Sequence, residues 1–442
     1  MDLRLKTAAY YTLGCKLNFS ETSAVSRLLE AEGVSKVDFR DGADLYIINT
    51  CSVTDNADKK CRKLVRDVKK IAPHAFICIM GCYAQLKPEE IAAIPGVNAV
   101  LGASEKFKVV NILRSLEEKG NPHVAVAPIK EASSYHAAYS YGDRTRTFLK
   151  VQDGCNYHCS FCTIPLARGR SRSESIEEVV RKAKRIARTE VQEIVLTGVN
   201  IGDFGIVEGK RKERFADLVK ALDQVDGIAR MRISSIEPNL LSNEIIAFVA
   251  GSERFVPHFH IPLQSGSNNL LRKMRRRYLR ELYTDRVQKI KQLMPDAGIG
   301  VDVIVGFPGE TDEEFLATYH YLNELPVSYL HVFTYSERNN TPAPEMDGAV
   351  PVQVRRERSE QLRTLSLKKR RAFYQTQLGN TLPVLLEEKT EEGFILGYTD
   401  NYVRVGIPYE EGLHNTIQLV HLQELTAAGW VEGARVEDSV TV

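Results

Sequence analysis

The stretch Phe148-Leu149-Lys150-Val151-Gln152-Asp153-Gly154-Cys155-Asn156-Tyr157-His158-Cys159-Ser160-Phe161-Cys162 places three cysteines directly behind a short apolar run. Phe148 to Val151 reads as a strand. The cysteines have three and then two residues between them, so their thiolates emerge together just past a strand end. Three close thiolates can bind three irons of a four-iron cubane and leave the fourth iron without a protein ligand. An open coordination position marks a reactive metal centre, whereas structural sites are closed. The competing reading is a zinc site completed by His158. Its weakness is position, because a closed staple has no reason to sit at a barrel mouth.

Outward from that loop, strand and helix signals alternate. Strands are expected at Phe148 to Val151, Glu193 to Thr197, Arg230 to Ser234, His258 to Leu263, Gly300 to Val305 and Tyr329 to Tyr335. Helical patterns such as Ser175 to Ala187 and Leu279 to Leu293 fall between them. Six successive strand–helix units predict a partial (β/α)6 barrel over residues 147–375, with its functional groups at the C-terminal strand ends.

Residues 1–129 repeat the alternation on a smaller scale. Ala8 to Leu13, Leu45 to Asn49 and Ala75 to Met80 read as strands, each followed by a helical pattern, which predicts an open parallel α/β domain. Cys15, Cys51 and Cys82 each follow one of these strands. They should converge at the carboxyl edge of the sheet, where such folds bind ligands. Three thiolates there form a second set able to hold a metal or an iron–sulfur cluster. Cys78, within the third strand, and Cys61, mid-helix, read as packing residues. Residues 130–146 are polar and aromatic without periodicity, a linker. Residues 376–442 change character: Leu382 to Leu386, Phe394 to Tyr398, Tyr402 to Gly406 and Thr416 to Val420 are short strands between Gly, Asn, Asp and Pro turns. That predicts a small β-barrel.

Composition bounds the partners. With 442 residues, 43% hydrophobic and 26% charged, the chain is long enough for two or three globular domains, and collagen-like or disordered classes are excluded. No apolar run approaches the ~20 residues of a membrane helix. The N-terminus lacks the apolar core of a signal peptide, so a cytoplasmic protein without a membrane partner is expected. In that reducing compartment eight cysteines point to metal binding or reactivity. The net charge of +2 hides an asymmetry. Residues 376–442 hold 3 Lys and Arg against 11 Asp and Glu, a net of −8, and the remainder holds 56 against 46, a net of +10. Basic residues cluster at Arg168, Arg170 and Arg172, at Arg272 to Arg277, and at Arg355 to Arg371. Such clusters suit a polyanion, because each phosphate contact needs a cation.

Taken together these motifs are recognisable. The Cys-x-x-x-Cys-x-x-Cys loop, with Phe161 before the last cysteine, resembles the signature of radical S-adenosylmethionine (SAM) enzymes. Asn49-Thr50-Cys51, Gly81-Cys82-Tyr83 and Cys15 look like the auxiliary-cluster ligands of the methylthiotransferases, and the tail resembles their TRAM domain. Within that family, Leu13-Gly14-Cys15-Lys16-Leu17-Asn18, Asp58-Lys59-Lys60 and Ile94-Pro95-Gly96-Val97 resemble the MtaB branch. MiaB-type relatives, which act on isopentenyladenosine in tRNA, tend to have Gln after the first cysteine. RimO-type relatives, which modify an aspartate of a ribosomal protein, differ before the Asn.

The resemblance implies two 4Fe-4S clusters and SAM as cofactors. It implies a tRNA anticodon stem-loop as substrate, methylthiolated at carbon 2 of N6-threonylcarbamoyladenosine (t6A), and an electron donor such as flavodoxin or ferredoxin. Cys155, Cys159 and Cys162 would hold the cluster that binds and splits SAM. Cys15, Cys51 and Cys82 would hold the one that carries the sulfur. The loops bearing Gly198 and Asn200, Ser235 and Glu237, and Gln264 and Ser265 match the family's cofactor-contact positions, as does Phe161, although Ser265 and Ser267 could equally cap a helix. Arg168, Arg170 and Arg172 would face the RNA near the mouth, with Arg355 to Arg371 on more distal phosphates. The acidic tail suits RNA poorly, with Lys389, Tyr398, Tyr402 and Arg404 its available contacts. A rival from another class is a zinc-stapled, non-catalytic RNA-binding protein.

Overall fold

The N-terminal strands are almost wholly apolar because both of their faces are covered. In the computed structural model, which describes residues 3, 6–51, 55–116, 121–129, 134–140 and 145–436, six strands form one parallel sheet. They are β1 (Thr7–Thr12), β2 (Ser35–Lys36), β3 (Leu45–Thr50), β4 (Phe76–Gly81), β5 (Ala99–Leu101) and β6 (His123–Ala125), in the order β2-β1-β3-β4-β5-β6. All six residues of β3 are buried. Alternate side chains go to opposite layers. Tyr46, Ile48, Ile77 and Ile79 pack with Val65 and Val68 of helix α2 (Asp55–Ile71), while Leu45, Ile47 and Met80 pack with Val25 and Leu29 of helix α1 (Lys16–Glu30). Cys61 joins the first layer and Cys78 the second, both fully buried. The strands β2, β5 and β6 have only two or three residues each, too few for hydrophobic periodicity to register.

Six further parallel strands form the central body: β7 (Arg146–Lys150), β8 (Glu193–Thr197), β9 (Arg230–Ile233), β10 (His258–Gln264), β11 (Gly298–Val305) and β12 (Tyr329–Thr334). They pair as β9-β8-β7 and β10-β11-β12, and a bridge between Ser235 and His260 joins the halves. Among the described residues no pairing closes β12 onto β7, so this is a partial barrel. Helix α1 lies along β7, where the Phe19 ring meets Phe148 edge-on at 5.8 Å. The segment between sheet and barrel was expected to be a linker, and part of it, 130–133 and 141–144, lies outside the described residues. Residues 134–140 are packed: Tyr139 bridges to Leu149, and the Tyr135 hydroxyl donates to the Lys150 carbonyl at 2.7 Å.

The tail is a closed barrel of β13 (Thr381–Glu391), β14 (Phe394–Thr399), β15 (Arg404–Pro408), β16 (Ile417–Leu425) and β17 (Val431–Arg435). The fifth strand, unforeseen in the sequence, closes it by pairing with both β15 and β16. This small barrel plugs the N-terminal ends of the central strands, opposite the cysteine loop. Arg230 meets Asp400 at 2.6 Å and Arg146 meets Glu387 at 2.5 Å. Asn401 donates to the Asp296 carbonyl at 2.8 Å.

Three expectations about the tail and the long helix α3 (Val352–Gln375) are therefore corrected. Tyr402 stacks on His258 at 4.5 Å and on Tyr398 at 4.7 Å, so both tyrosines serve docking rather than RNA. Arg404 is paired to Glu391 at 3.0 Å. In α3, Arg355 and Arg358 are buried against Glu337, Glu310 and Asp312, leaving Arg356, Arg363, Lys368 and Arg371 as the exposed cations.

Candidate functional site: two convergent sets of thiols

Strand register brings the first set together. Thr50 lies opposite Gly81, so Cys51 and Cys82 leave neighbouring strands side by side. The Leu13 amide donates to the Asn49 carbonyl at 2.8 Å and guides Cys15 to the same edge. Two glycines make the approach possible. Gly14 and Gly81 have φ of +111° and +107°, and a Cβ on Gly14 would fall 2.6 Å from the Cys51 Cβ. On Gly81 it would fall 2.5 Å from the Thr50 carbonyl oxygen. The Asn18 amide ties the edge by donating to the Leu13 and Thr50 carbonyls at 2.9 and 3.1 Å. Cys15 is exposed, Cys51 is half-buried and Cys82 buried. The surrounding protein pushes the Cys15 thiol up, against the pull of the Arg168 guanidinium.

The second set stands at the C-terminal end of β7. Burial pushes Cys155 up to about 11 and Cys162 up to about 12, with the neighbouring thiols adding to the rise of Cys162. Burial also raises Cys159, but Arg276 opposes it by donating to the Cys159 sulfur at 3.1 Å while pairing with Glu237. Gln152 locks this loop to the next one. Its Oε1 accepts from the amides of Val199 and Asn200 at 3.0 and 2.8 Å, and its Nε2 donates to the Gly154 carbonyl at 2.7 Å. Both polar atoms of the buried Asn200 side chain lack a partner among the described residues, as does Oδ2 of Asp203. Buried polar groups are normally paired, with protein, water or a ligand, so these atoms are open to a bound partner. A cavity of about 230 Å³ is lined by Phe161, Cys162, Gln264, Asp302, Phe333 and Tyr335 among others. Of these lining residues, Asp302 is approached at Oδ1 by both His260 and His331, at 2.8 and 3.4 Å.

Other expected contacts fare unevenly. Gln264, at φ +70°, and Phe161 line the cavity. Gly198 sits against Gln152, and Ser235 is half-buried beside His260. Ser265 is corrected: it is fully buried, and its hydroxyl is spent on Thr318 and the Ser267 amide. The arginine trio is corrected too. Arg168 and Arg172 are buried, bound to Glu21 and Asp153, because two buried carboxylates require cations. Only Arg170 of the three is exposed. The sequence reading missed Gln152, Arg276 and Glu21. For Gln152 a signal existed, a polar residue between strand and cysteine loop; the partners of the other two are distant in the chain.

Two convergent thiol sets, each with a guanidinium beside it, form a donor set suited to anionic iron–sulfur clusters. Comparison with known proteins agrees. Residues 149–322 match the Radical SAM superfamily, and residues 7–102 match the uncharacterized protein family UPF0004. The threonylcarbamoyladenosine tRNA methylthiotransferase MtaB of Bacillus subtilis (strain 168) is 42% identical over 91% of this chain and 90% of its own length. Its counterpart in Aquifex aeolicus (strain VF5) is 37% identical over 90% and 95%. A tRNA-2-methylthio-N(6)-dimethylallyladenosine synthase from Desulfitobacterium hafniense (strain Y51) is 30% identical over 95% of both chains. Among solved structures, the radical SAM methyltransferase TsrM from Kitasatospora setae shares the fold, with a TM-score of 0.55 at 14% identity, covering 76% of this chain and 77% of that one. The chain belongs to the methylthiotransferase family of radical SAM enzymes, on its MtaB branch.

Proposed function

We propose that this protein adds a methylthio group to carbon 2 of t6A beside the anticodon of tRNA, with Cys155, Cys159 and Cys162 ligating one 4Fe-4S cluster and Cys15, Cys51 and Cys82 the other. The observation that carries the reading is the convergence of both thiol sets within one packed body, in a chain 42% identical to an MtaB enzyme. The substrate bond is an aromatic C–H, too weakly acidic for a side-chain base, so the reaction needs one-electron chemistry. When bound, the clusters and SAM supply that chemistry and the sulfur; orientation and exclusion of water fall to the protein.

The protein's own share follows from the residues. Arg276 steadies Cys159, Gln152 fixes the Val199–Asn200 loop, and Asn200 offers an unpaired amide to the polar end of SAM. Arg277, stacked 3.9 Å over the Tyr157 ring of the cysteine loop, lies exposed at the mouth with Arg170, Arg272 and Arg275. These cations hold phosphates while a base is splayed out of the anticodon loop. A carrier such as flavodoxin or ferredoxin delivers the electron, and the reaction belongs in the reducing cytoplasm. Among the described residues no helix is long and apolar enough to cross a membrane.

The test is an anaerobic assay of the reconstituted protein with SAM, a reductant and anticodon stem-loops carrying either t6A or isopentenyladenosine. Methylthiolation of the t6A stem-loop alone is expected. Modification of the isopentenyl stem-loop alone would move the protein to the other tRNA branch. Colourless protein containing zinc instead of iron and sulfide would support the non-catalytic rival.

A further inference from the structure

Six ionisable side chains are buried together between the two thiol sets. Glu21 receives Lys106 at 2.5 Å, Lys150 at 3.0 Å and both ends of the Arg168 guanidinium at 3.0 and 2.9 Å. Asp153 receives Lys150 at 2.7 Å, Arg168 at 3.0 Å and Arg172 at 3.0 Å. None of the six is more than 8% exposed. Four cations face two carboxylates, a surplus of two positive charges. The remaining polar contacts of the cations end on Asn18 and on backbone carbonyls, which are neutral.

Removing a single uncompensated charge from water costs several kcal/mol. A fold that buries a surplus of two needs an anion nearby. The local field has a visible effect on His136, which is pushed down to about 4, by burial first and then by Lys150, Lys106 and Arg172. The surplus is also directed. The charge of Arg168 reaches Cys15 and Cys82, and its Nη2 donates at 2.6 Å to Asn18, the residue that ties the Cys15 and Cys51 loops. The charged neighbours of Cys155, Cys159 and Cys162 are different ones, chiefly Arg276 and Glu237.

We propose that this buried surplus, held by Lys106, Lys150, Arg168 and Arg172 against Glu21 and Asp153, is the counter-charge of the centre on Cys15, Cys51 and Cys82 and sets its reduction potential. The inference rests on reading those three cysteines as cluster ligands. Net charge and hydrogen bonding are principal determinants of iron–sulfur potentials, and buried charges are little screened by salt. The six residues are positioning residues: they touch one another and the loops, not the substrate.

The sign of the effect makes a structural role separable from an electrostatic one. Glu21→Gln removes a negative charge and Lys106→Met removes a positive one, from two side chains that touch. In an EPR-monitored redox titration of the reconstituted full-length protein, Glu21→Gln should raise the potential of the centre on Cys15, Cys51 and Cys82. Lys106→Met should lower it. The centre on Cys155, Cys159 and Cys162 should move less in both. Shifts of the same sign, or none, would overturn the proposal, because loosened packing acts alike in the two variants. Should Lys106→Met fail to fold, Asp153→Asn and Arg172→Gln supply a second pair under the same sign rule. Wild-type protein with iron for one cluster only would overturn the ligand reading itself.

Discussion

At the scale of single residues, the site depends on backbone that only glycine can adopt and on cations that hold thiols. Gly14→Ala would push a Cβ into Cys51 at a φ that side chains avoid. The expected result is loss of about half the bound iron, the share of one of two clusters, with the Cys155 set still loaded, as read by iron analysis and EPR. Arg276→Met leaves the half-buried Glu237 and the buried Cys159 without their donor. Groups that orient metal ligands are worth about 10- to 100-fold, so SAM cleavage, followed as 5′-deoxyadenosine release without RNA, should fall by that order. Arg276→Lys should recover only part, since one ammonium cannot reproduce the two-sided guanidinium contact. The six cysteines were legible in the sequence because each follows a strand whose end could be placed. Arg168 and Arg172 were misread as RNA contacts, since Glu21, the partner of Arg168, stands 147 residues upstream. Nothing local distinguishes a buried arginine from an exposed one.

At the scale of elements, the segment 134–140 seals the charged layer rather than merely connecting two domains. His136 stacks on Phe107 at 4.7 Å and is held neutral beside the cations. Its folded-state pKa of about 4 lies below its ordinary 6.5, so between those values the unfolded chain binds more protons than the folded one. Stability should therefore fall as pH drops through that window. His136→Phe, which keeps the stack and cannot be protonated, should flatten the slope between pH 6.5 and 5 in thermal unfolding followed by circular dichroism. An unchanged slope would assign the acid sensitivity elsewhere. Long apolar strands such as β3 and β10 announced themselves in the sequence. The short β2, β5 and β6 did not, and β17 was hidden because Val431–Arg435 holds one large apolar residue, Val431, among Glu432, Gly433, Ala434 and Arg435.

At the scale of the whole molecule, the division into a +10 body and a −8 tail is partly explained by docking. Asp400 and Glu387 of the tail neutralise Arg230 and Arg146 at the base of the central barrel, far from the cysteine loops in strand order. Asp400→Ala should destabilise the protein by about 1–3 kcal/mol, between the worth of an exposed and a buried pair, since Asp400 stays one-third exposed. It should leave the affinity for the anticodon stem-loop unchanged in a gel-shift titration. The mouth, by contrast, keeps Arg170, Arg272, Arg275 and Arg277 exposed, which is where a polyanion fits. The central claim, that this body methylthiolates t6A in tRNA, is tested most directly by mass spectrometry of tRNA nucleosides from a strain lacking the gene. The account predicts that 2-methylthio-t6A alone disappears, that unmethylthiolated t6A accumulates, and that the wild-type chain restores the product while Cys51→Ala and Cys159→Ala do not. Persistence of 2-methylthio-t6A in that strain, or full rescue by either cysteine variant, would contradict it.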